Sequence, residues 1–119
     1  PMARAIIDDG YTITTTIPAS NRYPEVTIVY RPPTTRELRK IDAALGGDID
    51  AAVTASAEYV AAHLCSWDIT TPAGPLPITA ATVERLEPVL FAVIFNVTRG
   101  LYPGGLPMPE AAQETQPGN

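Results

Sequence analysis

Proline is the residue that most restricts what this chain can fold into, and it occurs 13 times in 119 residues, with 8 glycines beside it. A proline inside a helix or a central strand removes a backbone donor and clashes with the preceding turn. Regular elements must therefore fit between the prolines, as short segments joined by punctuated loops. Apolar residues make up 45% of the chain and charged residues 18%, enough for one modest core and too little charge for a disordered polyelectrolyte. The formal net charge of −5 argues against a nucleic-acid binder, which needs a basic face to neutralise phosphate. With one cysteine and one histidine there is no disulfide framework and no Cys/His zinc site.

Tyr11 to Ile17 is a β-branched run suited to a half-solvated strand, and Val26 to Tyr30 suits a second. The residues from Pro18 to Glu25 read as the loop of a long hairpin. A lone hairpin is marginal in water, so it must lie against helices or gain strands elsewhere. Its open edges could also accept a partner strand. Thr34 and Glu37 form a capping-box pattern that opens a helix to Leu45, with Gly46-Gly47 expected to end it in the left-handed conformation. Asp48 caps a second helix through about Leu64, whose apolar positions Ile49, Val53, Ala57, Val60 and Leu64 recur at helical spacing.

Ser66 to Pro77 reads as a turn-bearing ribbon bent at Pro72 and Gly74, followed by a short helix capped by Thr79. Pro88 suits the first turn of a last helix, which runs from about Val89 to Arg99 and stops at Gly100. That helix is apolar on nearly every side, as expected of one buried in a core or a subunit interface. Residues 102–119 are rich in proline and glycine and read as a flexible tail on a single domain of residues 1–101. The fold class predicted is α+β: an N-terminal β-hairpin, then a small bundle of about four helices with a short ribbon insertion.

No apolar run approaches the ~20 residues that cross a bilayer. Asp8 and Asp9 interrupt any apolar signal core, so a cytoplasmic location is expected. Residues 1–45 carry a charge of +1 and residues 46–119 carry −6. The basic share, Arg31, Arg36, Arg39 and Lys40, is a solvated helix face or a polar recognition surface for another protein.

No catalytic constellation assembles from the motifs. His63 and Cys65 do not face each other on a helix, which makes Cys65 a small buried apolar residue and places His63 at a helix C-terminus. Asp8-Asp9-Gly10 lacks the ligand spacing of a calcium loop. Glu84 and Glu87 have no companion base, and the sequon Asn96-Val97-Thr98 falls in an apolar helix. Trp67 is expected in the core, with Asp68 accepting hydrogen bonds from the turn that follows. The chain is read as one that binds, without enzyme activity, metal or cofactor. Phe91, Ile94, Phe95, Val53 and Val60 are its candidate core or protein-interaction residues, and they could support a homo-oligomer.

Several short motifs in order carry a likeness: Asp9-Gly10-Tyr11-Thr12, Val29-Tyr30-Arg31-Pro32, Arg36-Glu37, Cys65-Ser66-Trp67-Asp68-Ile69, Leu76-Pro77-Ile78-Thr79, Arg85-Leu86 and Pro88-Val89-Leu90-Phe91. Over residues 9–100 the chain resembles small tail assembly chaperones of long-tailed bacteriophages and prophages. The resemblance implies a non-enzymatic protein that binds the tape-measure protein, keeps its apolar helices soluble and helps recruit tail-tube protein. It also implies departure before the tail is complete, and in many phages a longer frameshifted form. The competing expectation is a permanent structural protein, such as a head–tail connector or tail-terminus subunit, using the hairpin edges for ring contacts.

Overall fold

A computed structural model describes residues 6, 7 and 10–101. The expected tail, residues 102–119, and the Asp8-Asp9 pair lie outside the described residues. The elements are β1 (Ile13–Ile17), β2 (Val26–Tyr30), α1 (Thr35–Ala44), α2 (Ile49–His63), β3 (Leu64–Trp67), β4 (Thr70–Thr71), β5 (Gly74–Pro75), α3 (Ala80–Glu84) and α4 (Pro88–Thr98). The architecture is the predicted α+β, with one difference that matters. The hairpin is part of a three-stranded antiparallel sheet in the order β1-β2-β3.

Strand alternation sorts the sheet into two faces. Ile17 pairs with Val26, Thr15 with Ile28 and Ile13 with Tyr30, and these residues point inward. On the outer face the Thr16 and Thr27 hydroxyls hydrogen-bond at 3.1 Å. Ile17, Val26, Ile28 and Tyr30 merge with Ile41 of α1, Ala57, Tyr59 and Val60 of α2, Val83 of α3, and Leu90, Ile94 and Val97 of α4 in one buried cluster. The helices thus form a second layer on the inner face of the sheet.

The third strand arises because α2 does not stop at a loop. His63 is its last residue, and Leu64, already extended at φ −78° and ψ 130°, is the first residue of β3. The β2–β3 register runs Ile28 to Trp67, Val29 to Ser66 and then Tyr30 to Leu64, which leaves Cys65 as an extra residue. That bulge corrects the expectation for Cys65. Simple alternation would turn its side chain inward with Trp67; the added residue puts Leu64 in the core and Cys65 at the surface.

Two local expectations also change. Gly46 and Gly47 are not left-handed, because α1 ends at Leu45 in the right-handed conformation. Their N–H groups donate to Ala43 O and Ala44 O at 3.2 Å, tightening the last turn. Asp68 accepts from the Thr27 N–H at 2.9 Å, extending β3 toward β2, and so serves the sheet where the following turn was expected. Trp67 is half-buried against the core, and its indole N–H donates to Leu76 O at 2.7 Å, tying the β4–β5 ribbon down.

The helix starts follow the sequence signals closely. Thr34 and Glu37 form the full capping box of α1, Asp48 accepts from Ala51 N–H, and Thr79 and Thr82 cap α3 reciprocally. Glu87 caps α4, accepting from the N–H groups of Val89 and Leu90 at 2.8 and 3.0 Å, with Pro88 next in the first turn. At the far end of α4, Gly100 N–H donates to Val97 O and Leu101 N–H to Asn96 O. These are the paired bonds of a Schellman stop, and Gly100 takes the φ of +79° that it requires.

Candidate interaction surface

The last helix is not enclosed on every side. Leu90, Ile94 and Val97 are buried, while Phe91, Val93 and Phe95 are half-buried and Val89 is 39% exposed. The uncovered side of α4 presents Pro88, Phe91, Ala92 and Phe95, and the neighbouring side of α2 presents Ile49, Ala52, Val53 and Ser56. Each set falls at i, i+3, i+4 and i+7, so two helical stripes run side by side. They enclose a shallow groove of about 300 Å³ with no charged lining residue. Ile49 is 81% exposed and Val53 41% exposed, a costly arrangement in water for residues of their type.

The five apolar residues singled out from the sequence separate here. Ile94 and Val60 are fully buried core residues, whereas Val53, Phe91 and Phe95 line the groove. Phe95 also packs edge-on against Tyr59 with ring centroids 5.9 Å apart, and the Arg99 guanidinium lies 4.2 Å from its ring centre. It therefore serves the fold and the surface together. Ile49 and Ala52 belong to the small-residue face of the second helix that its spacing marks as open to close approach, whereas Pro88 and Ala92 do not stand out in the sequence as a surface.

The basic residues separate as well. Arg31 donates to Ala62 O at 3.1 Å, neutralising the C-terminal end of α2. Arg36, Arg39 and Lys40 are exposed on α1, and among the described residues they form no ion pair. At i, i+3 and i+4 they make a compact cationic patch.

Lys40 borders a second depression of about 300 Å³ between α1 and α2, together with Glu37, Glu58, Tyr59 and His63. His63 is 5% exposed and stacks on Tyr59 at 4.2 Å. Its Nδ1–H donates to Tyr59 O at 2.9 Å, and its Nε2, 3.5 Å from Glu37 Oε1, is buried without a hydrogen bond. The Thr34 N–H bond, then the His63 contacts, hold the Glu37 carboxyl below the usual carboxylate range despite partial desolvation. Burial, then the nearby Glu37 carboxylate, pushes the Tyr59 phenol well above its ordinary value, and burial also raises Tyr30.

A third, larger depression of about 520 Å³ lies where the β1–β2 loop approaches α4. An Arg22–Glu87 ion pair at 2.7 Å crosses it and pins the loop to the N-terminal end of that helix. Exposed Cys65 lies outside the α1–α2 depression that His63 lines. Among the described residues no group of three His, Cys, Asp or Glu could hold a metal ion, and no helix is long and apolar enough to cross a membrane. Compared with protein-family models, curated proteins and solved structures, the chain matches none.

Proposed function

We propose that this chain is a non-enzymatic tail assembly chaperone of a long-tailed phage or prophage. It holds apolar helices of the tape-measure protein in the host cytoplasm and helps recruit tail-tube protein. The observation that carries the reading is the uncharged α2–α4 groove with Ile49 and Val53 left exposed at its side. Two adjoining apolar stripes that include the small residues Ala52, Ser56 and Ala92 suit a third amphipathic helix, which would insert its own i, i+3, i+4 and i+7 side chains. The ordered likeness of residues 9–100 to tail chaperones adds the identity of the client. The net charge of −5 would keep such a complex soluble.

Co-expression with the tape-measure protein of the same phage tests this. The wild-type chain is expected to keep that protein in the soluble fraction, and an Ile49→Asp/Val53→Asp chain with an unchanged circular dichroism spectrum is expected to lose that capacity. Equal solubilisation by both chains overturns the groove as the client site. A connector or tail-terminus subunit is the second reading, favoured by one observation: β1 is an edge strand of the sheet, with no neighbour beyond it among the described residues. Mass spectrometry of purified virions separates the two, since a chaperone is absent from the particle and a connector is present in fixed copy number.

A further inference from the structure

The cations of this chain are not left over for want of acids, since Asp and Glu outnumber Lys and Arg by 13 to 8. Arg22 pairs with Glu87, Arg99 with Asp42, and Arg31 holds Ala62 O. Arg36, Arg39 and Lys40 are exposed, and none of them makes an ion pair among the described residues. The two acids of α1 itself are engaged elsewhere. Glu37 accepts from the Thr34 N–H at 2.8 Å and faces His63, and Asp42 reaches across to Arg99 at 3.4 Å.

Helix physics does not account for this placement. Like charges three and four residues apart on a helix repel each other. The macrodipole favours cations in the last turn, where α1 has none, and opposes one in the first turn, where Arg36 stands. A face that served only solvation would mix its signs. What a cluster of one sign gains is a field that recognises negative charge.

The size of the patch chooses among anionic partners. From Arg36 to Lys40 it runs about 6 Å along the helix axis at ~1.5 Å per residue. A DNA duplex, with one charge per ~1.7 Å, or an anionic bilayer would extend past it onto a protein of net charge −5. A short carboxylate-bearing segment can be confined to it. Lys40 also borders the α1–α2 depression of about 300 Å³, whose apolar lining is Ile41, Ala44, Ala55 and Ala62. Glu37 and Glu58 on the same lining turn a further carboxylate away from the depression, which suits an uncharged side chain.

We propose that α1 is a second docking surface, which takes an acidic segment of a partner protein. Carboxylates of the segment meet Arg36, Arg39 and Lys40, and a neighbouring apolar side chain enters the α1–α2 depression. This surface uses a different face of α2 from the groove lined by Ile49, Ala52, Val53 and Ser56, so it does not depend on the client reading.

Fluorescence anisotropy of the full-length chain with a labelled Glu/Ala peptide carrying one leucine tests this. Wild type is expected to bind the peptide, and Arg36→Gln/Arg39→Gln/Lys40→Gln to bind it about tenfold more weakly, the combined effect of three exposed charge pairs. Because the three charges conflict with the helix, that variant is expected to unfold at an equal or higher urea midpoint. A lower midpoint would assign the cations to the fold and overturn the proposal. Equal binding by both chains, or none by wild type, also overturns it and leaves a solvated helix face. A DNA duplex or a phosphatidylglycerol vesicle bound more tightly than the peptide overturns it in favour of phosphate. The same peptide without its leucine should bind more weakly, and equal binding overturns the part given to the depression. Ile49→Ser/Val53→Ser is expected to bind the acidic peptide as wild type does, so loss of the client at the groove and loss of the segment at α1 are read separately.

Discussion

Ile94 and Ile49 are the same residue type on adjoining helices, one fully buried and one 81% exposed, and truncating each to alanine removes the same carbons. For Ile94 the lost transfer free energy is about 2.5 kcal/mol at ~0.8 kcal/mol per buried carbon. The void left between the sheet and α4 adds about 1 kcal/mol. Ile94→Ala should therefore cost about 3.5 kcal/mol, and Ile94→Val, a fallback if the alanine variant does not fold, about 1 kcal/mol. For Ile49 only about a fifth of the side chain is out of water, worth ~0.5 kcal/mol, and alanine's better helix propensity offsets most of that. The expected change there is close to zero. Urea unfolding followed by Trp67 fluorescence reads the difference. At a slope of about 1.5 kcal/mol per molar, Ile94→Ala lowers the midpoint by about 2 M, while Ile49→Ala leaves it in place. Client binding should respond the other way, falling in Ile49→Ala and persisting in Ile94→Val. Equal midpoint shifts in the two alanine variants would refute the assignment of α4 to the core and of Ile49 to a surface.

Two further outcomes concern pH. The Glu37 carboxyl titrates below the usual carboxylate range in the fold, so its contribution is present above the unfolded-state value and is lost as pH falls through the folded one. Glu37→Gln keeps a capping oxygen and should flatten the decline of stability below about pH 4.5, measured by urea midpoints across that range. An unchanged decline would show that the carboxylate makes no such contribution. Tyr59 and Tyr30 are raised by burial, so the fold is stabilised below the ordinary phenol value and loses that stabilisation as pH rises past it. Absorbance at the phenolate wavelength should show both titrating late, together with unfolding; smooth ionisation of every tyrosine near pH ~10 would contradict their burial.

The sequence signals that proved legible are those whose physics is local. A capping box needs only Thr34 and Glu37, a helix start needs Asp48 or Pro88, and a Schellman stop needs Gly100, so these elements could be placed within a residue or two. What escaped depends on partners distant in the chain. Leu64 to Trp67 looks like the end of a helix and the start of a turn until β2 is there to pair with it. The exposure of Cys65 depends on a bulge that exists only in that pairing. The surface was half legible for a similar reason. Helical spacing marks Val53 and Val60 as one apolar face, but only the position of α4 decides that Val60 is enclosed and Val53 is left at the groove.

The passage from α2 into β3 without an intervening residue has a mechanical consequence. A loop between two layers acts as a spring, absorbing small displacements of one before they reach the other. Here the Arg31 N–H holds His63 O at 2.8 Å across that seam. A load applied along α2 would therefore meet no slack segment before it reached the sheet.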